Sequence, residues 1–366
     1  MEYKIGRSHQ KDVKQAVAEA TIGLSHPKLI IFSSGVEGFE DYSKELKACF
    51  NESIIMGITT YIGLCKEGTY KNELLVLGIE KGIECYADVL ENVDKYPVKY
   101  ISRIEKCIHS LSDCSNTVCF EFSTALISSE ELILTTLNSV LENKKIPLFG
   151  GSSGDAGKAE KTMVSFNGVV YEKACVFALI KNLNGKIKLY RENIYKPTNH
   201  YFIATKVDVR NRIVYEYDHE PAAKVMAKAL NTDISHLPNY LDQYPWGRII
   251  GNEMYITANQ AITKENGLAY HARVYKNSQM VLLEPDDYKQ VIQKTAKQIH
   301  QDMPHPSLAI MVHCLARCIL FESSNYLSTF AKEMGNTLGN YIGFSGYGEQ
   351  LNQQHFNQTM VIAVFE

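Results

Sequence analysis

Three stretches of the chain share one layout: an apolar strand, a helix, and a second strand that ends in glycine and hydroxyl residues. The first joins KLIIFSSG (28–35) to SIIMGITTYIGL (53–64), the second joins TVCFEFST (117–124) to IPLFGGSS (146–153), and the third joins SLAIMVHCLAR (307–317) to YIGFSGYGE (341–349). Strand–helix–strand units build sheets whose neighbouring strands run parallel. The layout therefore predicts an α/β protein with mixed sheets, although the three stretches show no strict sequence repeat.

Turn sequences between these units predict β-hairpins. Asn167-Gly168 lies between two apolar runs and favours a type I′ turn. VFALIKNLNGKIKLY (176–190) and KVDVRNRIVYEYD (206–218) are interpreted in the same way. A helical stretch with a proline near its first turn begins at Pro221. We therefore predict an N-terminal helix within 1–24 and two fused domains of similar build, 25–220 and 221–366.

Composition and charge exclude several classes of partner. The net charge is −3 and the basic residues are scattered, whereas nucleic acids and anionic membranes require a basic face. No window approaches the roughly 20 apolar residues of a membrane span, and the N-terminus resembles a short amphipathic helix instead of a signal peptide. Nine cysteines without paired spacing indicate reduced thiols. We expect a cytoplasmic protein.

The loop IPLFGGSSGDAGK (146–158) allows three interpretations. A phosphate-binding P-loop requires glycine where Ser152 stands, a hydroxyl where Ala159 stands, and a helix directly afterwards. A nucleophile elbow centred on Ser152 also requires a following helix, but the Asn167-Gly168 hairpin comes next. The third interpretation is a pocket in which glycines allow a ligand to approach the backbone and polar side chains contact it. The residues that would do so are Gly150, Gly151, Ser152, Ser153 and Asp155.

Similar strand ends recur elsewhere in the chain. In open α/β sheets, ligands bind at the carboxyl edge of the strands. We therefore predict that segments 57–60, 150–155 and 346–349 converge on one cavity. The added candidate ligand-binding residues are Gly57, Thr59, Thr60, Gly346, Tyr347 and Glu349.

Taken together, these motifs resemble the FIST family, a bacterial sensory domain in two parts. The 150–155 loop matches its N-terminal part, Cys314 and Arg317 match a Cys-x-x-Arg element, and DHEPA (218–222) matches a joint in which His219 replaces glycine. The closing signature of the family is matched by Gly343, Phe344, Gly348, Glu349, Asn357, Gln358 and Thr359.

The resemblance implies an intracellular signal-input module that binds a small ligand such as an amino acid or a related metabolite. It would act on a separate signalling protein, such as a histidine kinase, a chemoreceptor or a cyclic-di-nucleotide enzyme. Arg317 would hold a ligand carboxylate in a bidentate fork. Glu349 would hold a ligand amine or pair with Arg317, and Asn357 and Thr359 would contact the ligand or cap a turn.

Two alternatives stay open at this point. Some family members are haem proteins that sense nitric oxide, and the axial-ligand candidates here are His313, His355 and His271; without a C-x-x-C-H motif, any haem would be non-covalent. The other alternative is a hydrolase that uses Ser152 or Cys314. We expect neither an enzyme nor a cofactor. We expect no metal site either, because His313 and Cys314 face opposite sides of an extended strand.

Overall fold

A computed structural model describes all 366 residues and divides them into two compact units. The first unit comprises Met1–Arg191, Ala296–Gln353 and Met360–Glu366, and the second comprises Glu192–Thr295 and Gln354–Thr359. In sequence, the second unit thus consists of two insertions into the first. Residue 220, where we predicted a domain boundary, lies inside the second unit, so the compact units divide the chain differently from the predicted domains.

The first unit contains three copies of one strand–helix arrangement. The first copy comprises β1 (Glu2–Ser8), α1 (Val13–Ala20), β2 (Leu29–Ser34), α2 (Phe39–Cys49), β3 (Ile54–Thr59), β4 (Ile62–Cys65), β5 (Gly68–Lys71) and β6 (Leu74–Lys81). The second copy comprises β7 (Ile83–Glu91), α3 (Ile101–Ser110), β8 (Thr117–Ser123), α4 (Glu130–Leu141), β9 (Leu148–Ser152), β10 (Val164–Phe166), β11 (Val169–Tyr171) and β12 (Ala174–Asn182).

The third copy begins with β13 (Ile187–Asn193) and is then interrupted by the second unit. The inserted elements are β14 (Tyr195–Asp208), β15 (Ile213–Tyr217), β16 (Glu220–Pro221), α5 (Ala222–Ala229), β17 (Trp246–Ile250), β18 (Glu253–Thr257), β19 (Asn259–Ile262), β20 (Leu268–Tyr270) and β21 (Gln279–Pro285). The third copy resumes within α6 (Tyr288–Asp302), which begins in the second unit, and continues with β22 (Leu308–Cys314), α7 (Leu315–Ser323), α8 (Leu327–Leu338), β23 (Tyr341–Gly346) and β24 (Gly348–Leu351). β25 (Gln354–Phe356) belongs to the second unit, and β26 (Thr359–Phe365) completes the third copy.

Each copy organises one mixed sheet with the same strand order. The orders are β1-β6-β2-β3-β10-β11, β7-β12-β8-β9-β24 and β13-β26-β22-β23-β4-β5. The central pairs β2–β3, β8–β9 and β22–β23 are parallel, and their neighbours are antiparallel. The registers are also similar, because each pair places a glycine of its second strand opposite a residue of its first strand. The three pairs are Gly57 opposite Phe32, Gly150 opposite Glu121, and Gly343 opposite Met311. The predicted mixed α/β class is confirmed, and the similarity between its parts is threefold.

The strand that follows each parallel pair joins the sheet of another copy. β4 of the first copy pairs with β23 of the third, β24 of the third pairs with β9 of the second, and β10 of the second pairs with β3 of the first. The chain therefore crosses from one sheet to the next after β3, β9 and β23. These crossings are the recurring glycine- and hydroxyl-rich strand ends of the sequence.

The cores lie between the sheets and their helices. β2, β8, β22 and β26 are buried along their whole length, as strands covered on both faces are. α1 packs onto its sheet through Ala16, Val17 and Ala20, and Asp12 caps its N-terminus. Phe122 of β8 meets Phe344 of β23 edge-on, with ring centroids 5.3 Å apart, which joins the second and third sheets.

Local predictions had mixed outcomes. The hairpin at Asn167-Gly168 is confirmed, since β10 pairs with β11 and both turn residues have positive φ. The hairpin predicted over 176–190 is wrong, because β12 pairs with β7 and β8 while β13 enters the third sheet. The strand predicted over 307–317 ends at Cys314, and Arg317 lies on helix α7. A strand, β1, precedes the predicted N-terminal helix.

The second unit has its own sheet and core. Its strands run in the order β18-β17-β21-β14-β15-β20-β19, with β16 paired to β15. Trp246 is fully buried and stacks on Tyr217 with ring centroids 4.5 Å apart. In neither unit is any helix both long and apolar enough to cross a membrane.

Candidate functional site

The three predicted strand ends meet inside the first unit and form a closed set of contacts, which we call the crossing ring (Thr59–Thr60, Ser152–Gly154 and Ser345–Tyr347). The Thr60 hydroxyl donates to the Ser345 carbonyl oxygen at 2.7 Å. The Gly154 N–H donates to the Thr59 carbonyl at 2.8 Å, and the Tyr347 N–H donates to the Ser152 carbonyl at 3.2 Å. Each crossing is thus hydrogen-bonded to the end of the strand whose sheet it enters.

The glycines in the crossing ring and on the strands that lead into it are surrounded by protein atoms. A Cβ added at Gly346 would lie 2.1 Å from the Ser152 carbonyl oxygen, and one at Gly57 would lie 2.3 Å from the Phe32 ring. A Cβ at Gly151 would lie 2.3 Å from the Val312 side chain. Residues of neighbouring strands, and not a ligand, occupy the space that a glycine leaves beside its backbone. These glycines therefore contribute to packing between strands.

The hydroxyl groups of the ring are also engaged within the protein. Ser152 is fully buried; its Oγ accepts from Gln350 Nε2 at 2.9 Å and lies 3.5 Å from Ser123 Oγ. Ser153 Oγ accepts the Ala125 N–H at 3.2 Å. No imidazole or carboxylate contacts Ser152, whereas a serine nucleophile needs an adjacent base. This geometry gives no support to a Ser152 hydrolase.

Asp155 lies where the crossing from the second copy reaches the surface. Its carboxylate accepts the Tyr347 hydroxyl and the backbone N–H groups of Ala159, Glu160 and Lys161, the last three at 3.0, 2.8 and 3.1 Å. Burial raises the pKa of Asp155, but these four hydrogen bonds outweigh burial and hold that pKa below its usual value. Asp155 therefore fixes the loop 155–161 in one conformation.

A cavity of about 870 Å3 opens beside this loop. Its walls come from residues 9–11 before α1, the Gly35-Val36-Glu37-Gly38 turn between β2 and α2, the first turn of α2, Asn72, and the 155–161 loop. Among the predicted ligand-binding residues, Asp155 lines it. Lys11, Glu37 and Lys158 were not predicted from the sequence, although the Gly-x-x-Gly at 35–38, after an apolar strand, was a visible indication.

Arg317 lies on the first turn of α7, at the carboxyl end of β22. Its side chain is 1% exposed, and its guanidinium carbon lies 5.1 and 5.8 Å from the ring centroids of Phe321 and Phe330. Stacking on two rings holds a guanidinium in a defined plane. Glu349 is fully buried on β24, opposite Gly151 in the register.

His313 is the haem-ligand candidate in the first unit. Its Nδ1 lies 2.7 Å from Cys318 Sγ, its ring stacks on Phe330 at 5.0 Å, and its Nε2 is buried without a hydrogen-bond partner. Burial holds the pKa of His313 well below its usual value, and the positive charge of the nearby Arg317 lowers that pKa further, so the imidazole is neutral. A haem iron would reach Nε2 only by displacing packed side chains, so this position does not fit haem as it stands.

The remaining haem-ligand and ligand-binding candidates, His271, His355, Asn357 and Thr359, belong to the second unit. His355 Nε2 lies 3.2 Å from the carbonyl oxygen of His271. Asn357 accepts the Ala258 N–H through its side chain at 3.2 Å, and its own N–H donates to the Ile256 carbonyl. Thr359 is buried at the start of β26. No three or more His, Cys, Asp or Glu side chains are arranged to hold a metal ion.

Comparison with known proteins defines the class of this protein. The FIST N domain model matches residues 28–220, and the FIST C domain model matches residues 222–352. The chain belongs to the FIST family, whose domains are small-ligand sensors of signalling proteins. It is also 28% identical over 310 residues to an uncharacterized protein of Methanocaldococcus jannaschii; the match covers 73% of this chain and 58% of that relative.

Proposed function

We propose that this protein is a signal-input module that binds an amino acid or a related small metabolite and reports it to a separate signalling protein. Membership of a sensory family supports the role, and the buried, ring-stacked guanidinium of Arg317 is the observation that carries the ligand class. A guanidinium held in one plane presents a fork that matches a carboxylate.

The position of Arg317 supports the same proposal. It follows the carboxyl end of a parallel strand, which is the edge where open α/β sheets bind ligands. Glu349 and the crossing ring belong to the same unit as Arg317, and we include them among the residues that shape or support the site. A ligand that binds one conformation of the protein more tightly than another would shift the populations of the two conformations, and this shift would be the signal. A histidine kinase, a chemoreceptor or a cyclic-di-nucleotide enzyme would receive it.

The test is a thermal-shift screen with the twenty amino acids and their decarboxylated amines, followed by calorimetry. We expect at least one amino acid to raise the Tm, and its amine to have no effect because the carboxylate is missing. Arg317→Lys keeps the charge but removes the fork, and should weaken binding about tenfold or more.

Arg103→Lys serves as the matched control, because Arg103 lies on α3 of the second copy and forms an ion pair with Asp88 of β7. If no amino acid raises the Tm, or if Arg317→Lys and Arg103→Lys bind the ligand equally well, the proposed ligand class is wrong. Absence of a Soret band after expression with added haem would separately remove the haem-sensor alternative.

A further inference from the structure

We propose that the cavity beside the 155–161 loop is a second ligand site, which takes a short peptide-sized zwitterion with a free amino group and a free carboxylate. The cavity lies between the carboxyl end of β2 in the first copy and the 155–161 loop of the second copy, and Arg317 does not line it. The inference therefore goes beyond the ligand proposed for Arg317 and does not depend on it.

Charges of both signs face this cavity without pairing to one another. Lys11 and Lys158 line it and form no ion pair or side-chain hydrogen bond, and the same holds for the carboxylates of Glu37, Asp41 and Glu160. Lys161, by contrast, pairs with Glu172 at 3.0 Å. A ligand with one anionic and one cationic end would satisfy both sets, whereas a purely anionic or cationic ligand would meet repulsion from one of them.

The backbone at the cavity supplies further donors. Gly38 precedes α2 with a φ of +75°, and no side chain caps this helix. The Phe39 N–H donates to the Val36 carbonyl at 3.5 Å, which leaves the N–H groups of Glu40 and Asp41 for a carboxylate. Gly35 lies against Asn72: a Cβ at Gly35 would come 2.8 Å from the Asn72 side-chain oxygen. Gly35 therefore allows the Asn72 side chain, which also lines the cavity, to pack closely against this turn.

The opposite wall is rigid because Asp155 binds three backbone N–H groups of its own loop and the Tyr347 hydroxyl. A wall that is already ordered loses little entropy when a ligand binds. The volume of about 870 Å3 lies toward the upper end of the range for small-molecule sites, which favours a ligand larger than one amino acid. Charge and size together indicate a short peptide with free ends.

The experiment uses trialanine as the probe and titrates it into the full-length protein by calorimetry and by chemical-shift mapping. N-acetyl-trialanine and trialanine amide remove one charge each. We expect trialanine to bind and each capped form to bind at least tenfold more weakly. Lys158→Ala and Glu37→Gln should each weaken trialanine binding about fivefold or more.

Lys14→Ala and Glu45→Gln are the matched controls, because these residues lie on α1 and α2 but do not line the cavity. The inference is overturned if trialanine does not bind at millimolar concentration, if the capped peptides bind equally well, or if the cavity and control variants behave alike. It is also overturned if Arg317→Lys abolishes trialanine binding while Lys158→Ala does not; that result would assign the peptide to the Arg317 site and leave the proposed function standing.

Discussion

At the scale of single residues, Glu121 shows how a buried charge is accommodated. Its side chain is fully buried on β8, with Oε2 accepting from Cys175 Sγ at 3.3 Å and Oε1 without a partner. Burial raises its pKa from 4.5 to about 8, so the carboxyl group stays protonated at neutral pH. Gly150 makes room for it, since a Cβ there would lie 2.7 Å from Oε1.

This pKa predicts a pH-dependent stability. Between pH 4.5 and 8 the unfolded chain loses the Glu121 proton while the folded chain keeps it, so the contribution of Glu121 to the free energy of unfolding falls as pH rises, by about 1.4 kcal/mol per unit. Glu121→Gln removes this slope. Urea unfolding at pH 5 and pH 8 should therefore show the variant gaining stability relative to wild type by several kcal/mol at the higher pH.

Taking the difference between variant and wild type cancels the opposite contribution of neutral His313, whose low pKa destabilises the fold as pH falls. Glu105→Gln, on an exposed position of α3, is the control and should leave the pH slope unchanged. A wild-type slope that Glu121→Gln does not alter would contradict the prediction.

Gly346 provides a second prediction at this scale. A Cβ there would lie 2.1 Å from a backbone oxygen that cannot move without breaking the crossing ring. We expect Gly346→Ala to lower the free energy of unfolding by about 3 kcal/mol or more. Gly154→Ala is the control in the same ring, because a Cβ there would meet no atom closer than 3.4 Å. It should lower the free energy of unfolding by about 1 kcal/mol or less. Equal costs would show that close packing does not explain the glycine at 346.

At the scale of elements, sequence pattern predicted the strand–helix–strand units but not which sheet each strand joins. The parallel pairs followed from apolar strands with a helix between them, as in β2, α2 and β3. The exchange of β4, β10 and β24 could not be foreseen, because each pairs with a strand from another copy. Asn184-Gly185 suggested a local hairpin between β12 and β13. β13 instead pairs with β26, near the C-terminus, and sequence pattern does not reveal such a distant partner.

The candidate site shows a similar division. Recurring glycine and hydroxyl residues predicted that three strand ends converge on one cavity, and hydrogen bonds of the crossing ring do join these ends. They could not reveal that neighbouring strands fill the space beside the glycines. The charged residues of the cavity were missed because Lys11 and Lys158 look like ordinary surface residues until the fold places them around one opening.

Exchange of strands predicts a cooperative first unit. Since β4, β10 and β24 each complete a sheet of another copy, none can leave without exposing the edge of a buried parallel strand. In native-state hydrogen exchange, their ladder amides should open with a free energy within about 1 kcal/mol of those in β2, β8 and β22. The β19–β20 hairpin at the edge of the second unit's sheet should open more easily. Early exchange of β10 alone would contradict this cooperativity.

At the scale of the whole molecule, each of the two units has a hydrophobic core of its own. Trp246, the one tryptophan of the chain, belongs to the core of the second unit together with Leu282, whereas Leu137 belongs to a core of the first. Tryptophan fluorescence therefore reports the unfolding of the second unit, while far-UV circular dichroism reports both units.

Separate cores predict separable unfolding. Leu282→Ala and Leu137→Ala each remove a fully buried side chain and should cost roughly 2 to 5 kcal/mol in the unit concerned. We expect Leu282→Ala to lower the urea midpoint of the fluorescence transition, which reports the second unit. The dichroism transition, which reports both units, should keep one phase unchanged, namely the unfolding of the first unit. Leu137→Ala should shift that remaining phase and leave the fluorescence midpoint unchanged. If either substitution moves both probes together by the same amount, the chain unfolds as one cooperative body, and the division into two units describes its architecture without describing its energetics.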